Sequence, residues 1–232
     1  MNREEAPGDV DAPLAVFYGG TFDPVHCGHL HIARSARDHL SAVIRLMPAA
    51  DPPHRPPPGA SAVHRAAMLD AAVTGEPGLQ VDRRELSRDT PSYSVDTLRD
   101  IRAQWGADAP VALLIGADSL AALPQWKDWR ALFDLAHFVI AARPGAAQDG
   151  RLPDPLPSFL QERWTDSVAA LTSRPAGRVL ALRNPLHQGS ATAVRTLIAA
   201  GQPWRQLVPE AVADYIQRHG LYLNRPAGPA SL

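Results

Sequence analysis

Residues 14–31 read LAVFYGGTFDPVHCGHLH. The first five, Leu14 to Tyr18, form an apolar run of strand length, and Gly19-Gly20 then lets the backbone turn closely without a Cβ. Gly28 opens a helix that the pattern carries through His39. The unpaired N–H groups of such a helix start attract anions. His26 and His29 stand three apart on one face of the first turn, so both imidazoles can donate to one phosphate group. A zinc reading of His26, His29 and His31 competes, but no Cys pair or His-Glu-x-x-His motif supports it.

Working outward, strands and helices alternate. Ala42 to Met47 reads as a second strand, followed by the proline-stiffened loop PAADPPHRPPPG. Ser61 caps a helix running to Val73, with Val63, Ala66, Ala67, Leu69 and Ala71 as its apolar positions. Leu79 to Asp82 is a short strand, and Ser94 to Trp105 a helix whose buried stripe is Val95, Leu98, Ile101 and Trp105. Val111 to Ile115 is a fully apolar strand running into Gly-Ala-Asp-Ser. Helical pieces at Ser119 to Leu123 and Asp128 to Leu135 lead to a strand at His137 to Ala142. Residues 144 to 158, rich in Pro, Gly and Asp, read as a mobile surface loop before a helix at Phe159 to Leu171. A last strand, Val179 to Leu182, precedes helices at Ala191 to Ala200 and Pro209 to His219. This order predicts an α/β fold: a doubly wound, mostly parallel sheet with helices on both faces and ligands at the carboxyl ends of its strands.

In organisation, residues 1–12 read as a disordered leader and 13–223 as one domain, of which 186–223 is a small C-terminal helical part. Residues 224–232 read as a dispensable tail. A formal charge of −1 gives no basic field for nucleic acid, so the expected partner is a small molecule bound at a local anion site. The N-terminus lacks the apolar core of a signal peptide and no segment has the apolar length to span a bilayer, so no membrane partner is expected. Cys27, the single cysteine, excludes an internal disulfide and suits a reducing cytoplasm.

Other segments could carry chemistry. Ser190 or Thr192 can cap the helix holding Arg195, whose guanidinium can fork onto phosphate oxygens. Pro52-Pro53-His54-Arg55 is a stiff loop presenting two donors suited to a monophosphate, or a solvated basic loop. Asp118, after a buried strand, could accept from ribose hydroxyls or cap the next helix. Trp126 is a stacking platform or a packing residue.

Gly-Gly-Thr-Phe-Asp-Pro-Val-His-x-Gly-His after a strand resembles the signature of the nucleotidyltransferases that share His-x-Gly-His with class I aminoacyl-tRNA synthetases. Within them, the chain from Leu14 to Tyr222 resembles the bacterial nicotinate-nucleotide adenylyltransferases. The resemblance implies a Rossmann-like sheet and transfer of an adenylyl group from ATP to nicotinate mononucleotide, forming nicotinate adenine dinucleotide and pyrophosphate in NAD biosynthesis. It implies ATP binding by Gly19, Gly20, Thr21, Phe22, His26, Gly28, His29, Asp118, Ser190, Thr192 and Arg195, with His26, His29 and Arg195 catalytic. The family's usual Ile-Ser before that threonine is here Gly189-Ser190. For the mononucleotide it implies His54, Arg55, Ser92, Tyr93, Ser94, Trp126 and Arg143, with Trp126 stacked on the nicotinate ring. Mg²⁺ is expected to arrive with ATP, with no protein cage for a metal. An adenylyltransferase for nicotinamide mononucleotide or phosphopantetheine, and a non-catalytic nucleotide-binding regulator, remain as alternatives.

Overall fold

The computed structural model describes residues 13–50, 59–88, 92–142, 152–183 and 189–223. His54, Arg55 and Arg143 lie outside them, as do the expected leader and tail and residues 144–151 of the expected loop.

Among the described residues, seven strands form one sheet: β1 (Ala15–Gly20), β2 (Ile44–Pro48), β3 (Leu79–Val81), β4 (Val111–Gly116), β5 (His137–Ala142), β6 (Trp164–Thr165) and β7 (Val179–Arg183). Their order is β3-β2-β1-β4-β5-β7-β6, and each recorded pairing is parallel. The chain passes outward from β1 to β2 and β3, then returns to add β4 on the other side. The crevice of a doubly wound sheet opens at that reversal, beyond the carboxyl ends of β1 and β4. The β1–β4 register runs to Tyr18 and Leu114, beyond which Gly20 is in register with Pro48 of β2 and Gly116 with Ala141 of β5.

Alternation along the strands builds two cores. Val16, Tyr18, Ile44, Leu46, Leu114 and Leu180 face helices α1 (Cys27–Leu40), α2 (Ala62–Val73), α8 (Ala191–Ala199) and α9 (Glu210–His219). Ala15, Phe17, Leu113, Ile115, Phe138 and Ile140 face α3 (Ser94–Trp105), α4 (Ala117–Ala122), α5 (Leu132–Leu135) and α6 (Leu156–Leu160). Strands covered on both sides read as continuous apolar runs, which is why the central ones are plain in the sequence.

Three expectations are corrected. The second strand begins at Ile44, because Ser41 ends α1 in a left-handed conformation and the Ala42 N–H still donates to the Arg37 carbonyl. The helix expected over Phe159 to Leu171 is instead α6, the edge strand β6 and the short α7 (Ala169–Thr172). Pairing of Trp164 with Val179 protects the outer edge of β7, and this tertiary pairing overrides local helix preference. In α2 the inward face is Arg65, Ala66, Met68, Leu69 and Ala72, while Val63 is 76% exposed.

Leu156 sits in the segment that the sequence assigns to a surface loop, yet it is fully buried in the second core. Leu156→Ala is expected to lower unfolding free energy by about 2–5 kcal/mol in urea titrations. A loss within about 0.5 kcal/mol, typical of surface positions, would contradict its burial.

Candidate active site

The loop between β1 and α1 is shaped by its own side chains. His26 is the N-cap of α1, and its Nδ1 accepts the Gly28 N–H at 3.1 Å. The His26 N–H donates in turn to Nδ1 of His29 at 3.2 Å. A nitrogen that accepts carries no proton, so each neutral ring bears its hydrogen on Nε2. The imidazoles stack with centroids 3.7 Å apart and planes 29° from parallel. Burial holds the His29 pKa well below its ordinary 6.5, and the adjacent His26 adds to the depression, so His29 is a neutral donor at pH 7.

This corrects the expected source of donors. The N–H groups of Gly28, His29 and Leu30 are satisfied by the side chain or carbonyl of His26. These three amides are therefore partnered within the chain.

Phe22, taken from sequence as an ATP contact, is only 2% exposed; its ring meets His29 edge-on at 5.0 Å and Tyr18 at 5.5 Å. It buttresses the histidine pair from behind. A Cβ on Gly20 would lie 2.9 Å from that ring, so the glycine is needed for this close approach. Gly19 makes no turn: it and Gly20 are the last residues of β1, in register with Met47 and Pro48 of β2, so the turn expected at this glycine pair begins only after Gly20.

Arg195, on α8, is drawn to the same loop. Its Nη1 donates to the Asp23 carbonyl at 2.6 Å and lies 3.6 Å from that residue's carboxylate. Its Nη2 contacts Thr192 Oγ1 at 3.4 Å. Ser190 is the cap chosen at this helix, accepting from the Ala193 N–H at 3.1 Å. Asp23 stands three residues before His26, so the histidine pair and Arg195 share one wall of the crevice.

Three residues without an expected role hold this wall. Asp23, 5% exposed, accepts from the Gly59 N–H at 2.7 Å, the Ala60 N–H at 3.0 Å and the Tyr222 hydroxyl at 2.8 Å. The fully buried Arg65 donates to the carbonyls of Thr21 at 2.7 Å, Ala50 at 2.6 Å and Ala60 at 3.3 Å, tying together the loops after β1 and β2 and the start of α2. Asp23 stood in the quoted motif, and Arg65 was the one full charge among the inward positions of α2. Tyr222 offered no local signal, since its partner is 199 residues away.

Asp118 lies in the first turn of α4, exposed, at the neighbouring strand end. Gly116 is the N-cap there and no side chain caps the helix, so the capping alternative for Asp118 falls away.

Of the residues expected to take the mononucleotide, Ser92, Tyr93, Ser94 and Trp126 are described, and they lie near one another. Tyr93 is the N-cap of α3, preceded by Ser92 and followed by Ser94. Ser92 is 9% exposed and its Oγ has no hydrogen-bond partner among the described residues. Lys127, next to the half-buried Trp126, lies 4.7 Å from the Tyr93 ring centroid and donates to Asp96 at 3.1 Å, so the tryptophan turn is clasped to the start of α3. Beneath it, Thr97 donates to buried Glu85 at 2.7 Å and accepts from Arg88 at 2.7 Å; burial raises the Glu85 pKa. Sequence reasoning gave these three no role.

The sequence profile described as cytidylyltransferase-like matches residues 17–206. Over 214 residues the chain is 55% identical to a protein of Stenotrophomonas maltophilia named probable nicotinate-nucleotide adenylyltransferase, covering 90% of this chain and 96% of that one. A protein of Xylella fastidiosa with the same name is 46% identical over 213 residues, with the same coverage. In three dimensions the chain is similar to the Plasmodium falciparum nicotinic acid mononucleotide adenylyltransferase complexed with NaAD, with a TM-score of 0.65 over 90% of this chain and 97% of that one; at 14% identity that likeness carries the fold.

A Rossmann-like sheet with this profile and a His-x-Gly-His helix start defines a nucleotidyltransferase of the cytidylyltransferase-like class. Within that class, the chain belongs to the nicotinate-nucleotide adenylyltransferases.

Because folded His29 resists protonation while the unfolded side chain titrates near 6.5, its contribution to stability is complete above that pH and declines as pH falls toward the lower folded value. NMR titration is expected to place its midpoint well below 6.5; a midpoint at or above 6.5 would contradict the buried neutral ring.

Proposed function

We propose that the crevice at the carboxyl ends of β1 and β4 binds ATP against the histidine pair and α8, and nicotinate mononucleotide beside Trp126. The reaction is transfer of the adenylyl group to the mononucleotide, releasing pyrophosphate, in NAD biosynthesis. The observation that carries the site assignment is the fixed tautomer of two stacked imidazoles, with Arg195 bound to the same loop.

The attacking mononucleotide phosphate has a second pKa of about 6 and is already anionic near neutral pH, so the reaction needs no general base. What the protein supplies is alignment, together with donors aimed at the phosphate charge. His29 donates through Nε2–H as a neutral group, and His26 through its own Nε2–H. Arg195 contributes the full positive charge toward the β/γ end, with Ser190 and Thr192 at the same helix start. Asp118 accepts from the ribose hydroxyls. Gly19, Gly20, Thr21 and Gly28 shape the backbone around the triphosphate, and Phe22 supports His29.

For the acceptor, Trp126 stacks on the nicotinate ring. Ser92, Tyr93 and Ser94 supply donors that favour a ring carboxylate over an amide, because the anion accepts strongly whereas the amide must also place its own N–H₂. The unpartnered Ser92 Oγ supports a polar ligand there. His54, Arg55 and Arg143 are proposed for the mononucleotide on family resemblance.

Mg²⁺ is read as part of the substrate, entering with ATP on its phosphate oxygens. The motif carboxylate, Asp23, already accepts from three donors, and no cluster of three or more His, Cys, Asp or Glu side chains among the described residues is arranged to hold a metal. No described helix is long and apolar enough to cross a membrane. A cytoplasmic setting is proposed with the reaction, because ATP is its substrate.

Pyrophosphate release with ATP and either nicotinate or nicotinamide mononucleotide tests the reading. Turnover with the nicotinate form is expected to exceed that with the amide; no turnover with either would leave the binding-regulator alternative standing. His29→Ala is expected to lower kcat by about 10²–10³ while mononucleotide affinity changes little. Trp126→Ala should cost about 1–3 kcal/mol of ring stacking, read as a higher KM for the mononucleotide. An unchanged KM would remove the tryptophan from the site.

A further inference from the structure

Tyr222 is the last but one described residue at the C-terminus, at the boundary of the segment that composition alone marks as dispensable, yet it is bound into the crevice wall. Its backbone adopts φ 63°, a left-handed conformation that costs a bulky L residue about 1–2 kcal/mol. Phe22, immediately before Asp23, is held at φ 51°. Two aromatic residues in this costly region therefore touch or adjoin one buried carboxylate, and such conformations persist only where the surroundings over-determine them.

Those surroundings are specific. The Tyr222 hydroxyl donates to Asp23 Oδ1, while Oδ2 takes the Gly59 N–H and lies 3.6 Å from Arg195 Nη1. A Cβ on Gly59 would sit 3.2 Å from the Tyr222 ring and 3.4 Å from Cδ of Arg195, so ring, glycine and arginine stem pack in one layer. Burial and the Asp23 charge push the phenol upward, so it remains a donor throughout the working pH range.

We propose that Tyr222 is a positioning residue for phosphoryl chemistry: through its hydrogen bond to Asp23 and its packing on Gly59 it fixes the histidine loop and the Arg195 stem relative to one another. The inference rests on the adenylyl-transfer reading of this crevice. Histidines on the β1–α1 loop and an arginine on α8 belong to elements more than 160 residues apart in the chain, and their relative placement must hold to a fraction of an ångström for transition-state donors to act. A tie from a third element to Asp23, which lies in the loop leading to His26 and receives Arg195, supplies that constraint.

The test is Tyr222→Phe, which keeps the ring and deletes one hydroxyl. Assayed below its unfolding transition by pyrophosphate release, it is expected to lose about ten- to a hundredfold in kcat, with KM for either substrate changing less than kcat. In an Asp23→Asn background the same change should have little further effect, because the hydroxyl acts through that carboxylate. Independently of turnover, amide hydrogen exchange at Gly59 and Ala60, whose N–H groups share the carboxylate, should accelerate in Tyr222→Phe.

A variant with lowered thermal stability but parental kcat would reduce Tyr222 to a structural role and overturn the proposal, as would unchanged exchange at both amides. Equal kcat losses in the two backgrounds would show that it does not act through Asp23. Parental enzyme inactive on ATP and nicotinate mononucleotide would overturn the functional reading itself, a result distinct from active parent and unaffected variant.

Discussion

Asp23 is an anion taken out of water and surrounded by donors from separate parts of the chain: two amides at the start of α2, a phenol near the C-terminus and the guanidinium of α8 beside it. Burying such a charge costs several kcal/mol unless hydrogen bonds replace its hydration. Each bond to a charged group returns about 1.5–3 kcal/mol, so three together offset a penalty of that order and the loss of one removes about a third of the offset. The set places the histidine loop, α2, α8 and the C-terminal turn in one arrangement, and the nucleotide crevice is the space that arrangement leaves.

Electrostatics of the crevice follow from the same economy of space. Two protonated imidazoles with centroids 3.7 Å apart would repel by about 4 kcal/mol at an effective dielectric of 20. Burial and mutual proximity keep His29 neutral instead, with both protons held on Nε2 by amides donating to Nδ1. The permanent positive charge is on Arg195, which cannot lose its proton, is partly balanced by the Asp23 carboxylate 3.6 Å away, and is directed by the Asp23 carbonyl. Donors and charge are thus divided between α1 and α8, and the integrity of the tie between those helices decides whether they act on the same phosphates.

Several parts of this were legible without coordinates. Val111 to Ile115 and His137 to Ala142 are apolar enough to be central strands, and the helix start at His26 could be read from spacing, though Gly19 and Gly20 extend the strand before it rather than turning. Other parts were not. Trp164–Thr165 is a strand only because β7 would otherwise present an open edge, and Arg65 points inward only because three carbonyls wait there. A periodicity argument counts apolar residues and so placed Val63 inside and ignored the arginine. Leu156 lay hidden among prolines that signal a loop but here begin a short helix that buries Leu156 and Leu160.

By itself the sequence determined the alternation of strands and helices, the position of the histidine-capped helix start and the family to which the chain belongs, because each depends on local patterns of side-chain size, glycine and histidine. Only the tertiary structure decided which donors face the crevice, and that a tyrosine 199 residues away completes the carboxylate between them. Local rules can state what a residue offers. Whether the offer is taken up by a neighbouring amide, a distant side chain or a ligand depends on where the folded chain removes water, and that is a property of the packed whole.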